Sequence, residues 1–380
     1  MNFDFADILM EVIDAGASDL HLTAGSPPMV REKGKLRALD YPVLAPTDTR
    51  EIVYSILNNE QRKRLEVDWQ IDLSYSVPNR ARFRVNAFFQ RASIGAVMRT
   101  IPTEIPKLQD LGLPPVLADF TKKPRGFVLV TGPTGSGKST TLAAMLDLIN
   151  EVRHEHILTI EDPIEFLHRH QNCIVNQREL GTDAMTFADG LKAALRQDPD
   201  VILVGEMRDL ETMATALTAA ETGHLVFATL HTQDTAQTVD RIVDSFPPAQ
   251  QHQVRTQLSI ALQGIVTQQL LQTSDGKERV CATEVLVPTP GIRNLIREGK
   301  THQIYSALQT GAAHGMQSMD ASLVDLVRRG KISQAMAERR SSTPDELKRL
   351  MGQMGVPTGG GFENGGMPGM QVPGNGAKVA

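Results

Sequence analysis

Nine consecutive residues, Gly132-Pro133-Thr134-Gly135-Ser136-Gly137-Lys138-Ser139-Thr140, constrain this chain more than any other stretch. They match G-x-x-x-x-G-K-[ST], follow the apolar run FVLV (127–130) and precede the helical pattern STTLAAMLDLIN. Glycines let successive backbone N–H groups wrap a chain of phosphates, and a helix N-terminus adds favourable partial charge. Lys138 is placed to meet the β- and γ-phosphates and Ser139 to ligate Mg²⁺. A glycine turn that matches by chance would lack the strand before it and the helix after it.

Around this loop the apolar runs ILTI (157–160), VILVG (201–205) and LVFATL (225–230) alternate with helical segments. Buried strands separated by helices predict a parallel α/β sheet covered on both faces. Helices are expected over 187–197, before Asp198-Pro199, and over 210–222, with Gly223 as the stop. From about 234 to 345 the pattern reads as mostly helical.

Residues 1–100 have a different rhythm and read as a small mixed α+β domain. Phe5, Ile8, Leu9, Val12 and Ile13 make an amphipathic opening helix that ends near Gly16. The acidic residues in it argue against a signal peptide. Strands are expected at 71–77, 81–89 and 92–101. Alternation puts Ala81, Phe83 and Val85 on one face of a strand and Arg82 and Arg84 on the other. Four prolines between 101 and 115 mark a linker, so 116–350 forms the second domain. Residues 351–380 are rich in Gly and Pro and are expected to be disordered.

Composition excludes several classes. The net charge of −5 and 4% aromatic content argue against nucleic acid, which calls for a basic channel and stacking rings. Cys173 and Cys281 lie far apart without C-x-x-C spacing, which rules out a disulfide framework and a four-cysteine zinc site. No run approaches the ~18 apolar residues of a membrane helix, so any membrane role is expected to come through a partner.

A phosphate loop needs carboxylates, and two acidic clusters follow predicted strands. Glu161, Asp162 and Glu165 stand in TIEDPIEF, and Glu206 follows VILVG. Ligands of open α/β sheets bind at those carboxyl ends. One acid is expected to hold Mg²⁺ through water and another to polarise the attacking water. Spacing alone does not divide these roles among Glu161, Glu165 and Glu206. His224 and His231 bracket the strand LVFATL, and spacing leaves open whether they are structural or contact the γ-phosphate.

With ASDLHL (17–22), GPTGSGKST (132–140), TIEDPIEF (159–166), LVGEMRD (203–209) and TAAETGHLVFATLHT (218–232) in order, the chain resembles the secretion-superfamily ATPases. GIRNLIREGK (291–300) and GMQSMD (315–320) are similar to segments of PilT-type twitching-motility proteins, with Gly291 where the family has a small Ala. The resemblance implies a PAS-like N-terminal domain and a RecA-like P-loop ATPase domain. It implies a cytoplasmic homo-hexamer using ATP and Mg²⁺ to retract a type IV pilus. That motor would act at the inner membrane through a platform protein, with a paralogous retraction ATPase as a further partner.

Carried over by motif, Glu165 is the expected catalytic base and Glu206 the Mg²⁺ support. His224 and His231 are the histidine-box residues. Arg82, Arg84 and Arg99 are the candidates for completing a neighbour's nucleotide site. The alternatives are an accessory PilU-like ATPase and a pilus-assembly or type II secretion ATPase. The last two carry a longer N-terminal region and usually a four-cysteine zinc site.

Overall fold

Asp4 caps the opening helix by accepting from the Ala6 N–H, and α1 (Phe5–Asp14) buries Phe5, Ile8, Leu9 and Val12 along one stripe. The computed structural model describes residues 3–32, 34–78, 80–102 and 104–353. After α1 come β1 (Asp19–Leu22), β2 (Met29–Glu32), β3 (Lys35–Ala38), α2 (Pro46–Ile56) and α3 (Asn59–Asp68). Then β4 (Gln70–Val77), β5 (Ala81–Gln90) and β6 (Ser93–Ile101) run as a meander. The six strands form an antiparallel sheet in the order β3-β2-β1-β6-β5-β4. Along β5, Ala81, Phe83, Val85 and Ala87 point into the core that α1 and α2 cover, as the alternation predicts.

One short turn of 3-10 helix (Leu108–Leu111) lies within the proline-rich stretch, and α4 (Val116–Thr121) follows it. The second sheet begins with β7 (Gly126–Thr131), α5 (Lys138–Val152), β8 (His156–Glu161), β9 (Ile174–Glu179) and α6 (Phe187–Ala194). It continues with β10 (Val201–Val204), α7 (Leu210–Glu221), β11 (Leu225–Leu230), α8 (Thr235–Asp244) and α9 (Pro248–Ala261). β12 (Leu262–Gln272) and β13 (Arg279–Leu286) close it. The last helices are α10 (Pro290–Glu298), α11 (Ile304–Thr310), α12 (Met319–Arg328), α13 (Gln334–Arg340) and α14 (Pro344–Gln353).

The order is β13-β12-β7-β11-β10-β8-β9, parallel throughout except for β13 against β12. Each central strand is apolar on both faces. In β7, Phe127 and Leu129 pack under α6 to α10, while Val128 and Val130 pack under α4 and α5. The α/β class read from the sequence therefore holds, with an antiparallel α+β half before it. On α10, Ile292 and Ile296 are buried and Leu295 packs beside them.

The stretch 234–345 departs from its helical reading: β12 and β13 form a long hairpin there. α6 ends at Ala194 rather than 197, and Asp198 takes a positive φ of 55°. α14 runs on to Gln353 with Met351 fully buried, three residues into the expected tail. The rest of that tail lies outside the described residues. Among the described residues, no helix is long and apolar enough to cross a membrane.

β12 approaches β7 with a shift of register between Leu262 and Gly264. A Cβ on Gly264 would lie 2.4 Å from the ring of Phe120, itself 1% exposed. Gly264→Ala should therefore destabilise the half built on the parallel sheet by about 1–3 kcal/mol. Thermal unfolding checks this through a lowered midpoint.

Candidate nucleotide-binding site

The carboxyl ends of β7, β11, β10 and β8 stand side by side, and the loops leaving them enclose a cleft of 530 Å³. The phosphate loop leaves β7. Gly132 sits at φ 134°, where a Cβ would lie 2.3 Å from the Gln268 carbonyl oxygen, so only glycine fits that step. Gly137 at φ 91° opens α5, and no side chain caps that helix. The Ser136 hydroxyl is buried without a partner. Lys138 donates from Nζ to the carbonyl oxygens of Gly132 at 2.8 Å and Pro133 at 3.1 Å. An uncapped helix start, an unpaired hydroxyl and an ammonium held only by carbonyls fit a polyphosphate.

Burial lowers the Lys138 pKa, while the charges of Glu206 and Glu165 push it back up. The lysine and both acids therefore share one electrostatic site. Glu206 follows β10. Its Oε2 accepts from Arg208 at 2.7 Å, and its Oε1 lies 3.3 Å from His231 Nε2. The Arg208 hydrogen bond, helped by His231, holds the Glu206 carboxyl below its usual range.

The acidic loop leaves β8 through a cis Asp162–Pro163 bond. Glu161 does not share the cleft on equal terms with Glu165. Its carboxylate accepts from the Thr159 hydroxyl at 2.6 Å, from Gln177 at 3.1 Å and from the Glu165 backbone N–H. Glu161 is the support beneath the loop, and Glu165 is exposed at its crest. His168, further along, lines the cleft with a buried, unpartnered Nδ1, and burial pushes its pKa down to about 4.

The sequence candidates divide into three groups. Thr134, Gly135, Gly137, Lys138, Ser139 and Thr140 line the cleft, and so do Glu165, Glu206, His231 and Arg84. His224 does not: it precedes β11, at the far end of a six-residue strand from His231, and its Nδ1 donates to the Ala219 carbonyl at 3.0 Å. Arg82 and Arg99 are each paired elsewhere. Arg82 bonds Glu179 at 3.0 Å, and Arg99 donates through Nε to the buried Asp19 at 2.9 Å.

Arg208, His168 and Arg279 reach the cleft without having been singled out by sequence. Arg279 starts β13, in the stretch whose helical reading hid it. Arg208 stands two residues past Glu206, at a spacing that gives no sign of the hydrogen bond between them. A second cavity of 460 Å³ adjoins, sharing Gly137, Thr140, Leu270 and Arg279 with the cleft.

The family model for type II/IV secretion system proteins matches residues 3–343. The chain is 52% identical over 344 residues to the type IV pilus retraction ATPase PilT of Pseudomonas aeruginosa, covering 90% of this chain and 100% of that protein. Over 352 residues it is 42% identical to the type IV pilus ATPase PilU of the same organism, covering 93% and 92%. A crystal structure of the pilus retraction motor PilT with bound ADP superposes with a TM-score of 0.86 at 51% identity, covering 92% of this chain and 100% of that one.

Burial pushes the Glu161 carboxyl up from 4.5 to about 7. The folded protein thus keeps a proton that the unfolded chain releases, and this stabilising contribution is lost as pH rises from about 4.5 to about 7. Urea unfolding across that window should show Glu161→Gln gaining stability relative to wild type as pH rises, with no further change above it.

Proposed function

The chain belongs to the type II/IV secretion system protein family, and on that premise we propose that it is an ATP-driven motor that retracts a type IV pilus. The observation that carries this reading is the meeting of Lys138, Ser139, Glu165, Glu206 and His231 in one cleft, in a chain similar to a retraction ATPase along 90% of its length.

In this reading the phosphates enter the loop, and Lys138 exchanges the Gly132 and Pro133 carbonyls for phosphate oxygens. Backbone N–H groups at the start of α5 complete the cradle. The Ser139 hydroxyl would hold Mg²⁺, with Glu206 joining through water, and the ion when bound neutralises charge on the phosphates. Among the described residues no cage of three or more His, Cys, Asp or Glu side chains gathers. Mg²⁺ bound with a nucleotide draws most of its shell from phosphate and water.

Glu165 takes the proton of the attacking water, its backbone fixed by Glu161 below. His231, beside Glu206, senses whether the γ-phosphate is present. Arg84 is the arginine that reaches the cleft from the antiparallel sheet. His224 takes no part in this step.

A homo-hexamer lets such a site close between one subunit and the next, so that binding and loss of phosphate move the two halves relative to each other. The motor would work in the cytoplasm on an inner-membrane platform protein, alongside a paralogous ATPase. The main-motor reading is favoured over the accessory one by 52% against 42% identity.

Glu165→Gln should keep nucleotide binding while lowering ATP turnover by roughly 10²–10⁴-fold, the usual contribution of a general base. In a deletion strain, wild type should restore twitching, and Glu165→Gln should leave cells hyperpiliated and immotile. A deletion strain without pili would instead assign the chain to assembly.

A further inference from the structure

Glu179 ends β9 as a buried carboxylate, 3% exposed, that the nucleotide cleft does not use. Its oxygens accept from the Ser74 hydroxyl at 2.6 and 2.8 Å, from Arg82 Nη2 at 3.0 Å and from the Ile164 N–H at 3.1 Å. An ionised carboxylate at such depth is tolerated only when paired and hydrogen-bonded. Ser74 and Arg82 belong to β4 and β5 of the antiparallel sheet. Ile164 is the residue before Glu165. One carboxylate therefore ties the two halves of the molecule together beside the proposed catalytic base.

β9 grips the same loop at a second point. Gln177 lies two residues before Glu179 and so on the same face of the strand. It accepts from the His168 N–H at 2.8 Å and donates to the carbonyl oxygen of Phe166 at 2.9 Å. Glu165 is thus bracketed, with Glu179 holding the residue before it and Gln177 the residue after it. Among the described residues only the Glu179 bracket reaches the antiparallel sheet.

We propose that Glu179 is a positioning residue for the hydrolysis described above, clamping the acidic loop to β4 and β5 so that the antiparallel sheet sets where Glu165 stands. The inference rests on that reading of the cleft. Arg82, its side chain 18% exposed and spent on Glu179, works within its own subunit as the clamp's counter-charge rather than on a neighbour's nucleotide. Arg84, two residues on, faces the cleft instead. Displacing a catalytic group by an ångström is enough to slow chemistry while leaving the phosphate cradle intact.

The test uses the full-length chain as wild type, Glu179→Gln, Arg82→Ala and the double variant. Turnover and KM for ATP are measured, together with binding of a fluorescent ADP analogue. Gln at 179 keeps the shape but turns an amide N–H₂ towards Arg82. Its kcat should fall on the order of tenfold or more while KM and ADP-analogue affinity stay within about twofold. Because both residues form one clamp, the double variant should be no slower than the slower single.

If the two losses multiply, Arg82 acts separately from Glu179 and the clamp is overturned. Wild-type kcat in Glu179→Gln overturns it as well. Ser74→Ala covers the case in which Glu179→Gln does not fold: a lowered kcat at unchanged KM supports the clamp, and an unchanged kcat overturns it. A wild-type chain without ATP hydrolysis would remove the functional reading first, and the clamp with it.

Discussion

Lys138 carries its ammonium into a place where only 9% of the residue meets solvent, and burial alone pulls its pKa down. The charge survives there because the Gly132 and Pro133 carbonyls accept from it and because Glu206 and Glu165 stand close enough to act on it. That requirement organises the ATPase half. Two carboxylates must emerge on the same edge as the phosphate loop, yet they belong to segments 33 to 74 residues away counted from Gly132 (165 − 132 and 206 − 132). A parallel sheet meets the requirement, since every helical return brings the next strand's carboxyl end back to the same edge.

The parts of the molecule that obey this constraint are the parts most legible in sequence. β7 and β11 are buried at every position and read as unbroken apolar runs. β12 and β13 escaped because their sequence answers to different neighbours. In LQGIVTQQLLQ, Leu262, Ile265, Val266 and Leu270 fall at helical spacing, while Thr267 and Gln268 are buried by polar partners rather than by apolar packing. Thr131 and Thr267 hydrogen-bond at 2.8 Å, and Gln268 donates to Thr141 at 2.8 Å, beneath the phosphate loop. A strand that satisfies polar groups this way carries no period-2 apolar signature for periodicity to find. β9, with the polar run Asn176-Gln177-Arg178-Glu179, is hidden for a related reason, Gln177 and Glu179 serving the acidic loop.

At the site, motif spacing picked out the Gly132–Thr140 loop and two strand-end acids that line one cleft, but not how the acids differ. Ranking needed the third dimension, in which Glu161 turns inward to hold the Glu165 backbone and Glu165 faces solvent. The two histidines show the same limit more sharply. In sequence they bracket one strand symmetrically; in space the seven steps from His224 to His231 separate them by about 23 Å at ~3.3 Å per residue, and His231 is the one that stays with Glu206.

The three candidate arginines on β5 and β6 are sorted by buried acids rather than by their own positions. Arg84 and Arg99 are direct cross-strand partners, and Arg82 is two residues from Arg84 on the same face, so nothing in β5 or β6 distinguishes them. Asp19, 5% exposed, takes Arg99; Glu179, 3% exposed, takes Arg82. Among the described residues Arg82 is the one cation paired with Glu179, so losing it would strand a charge, whereas Asp19 also has Arg31 at 3.8 Å. Among the described residues Arg84 meets no such acid, and it is the one of the three that lines the cleft. The division follows from desolvation. A carboxylate that must stay paired holds an arginine beside it, and the arginine without a buried acid is left at the cleft.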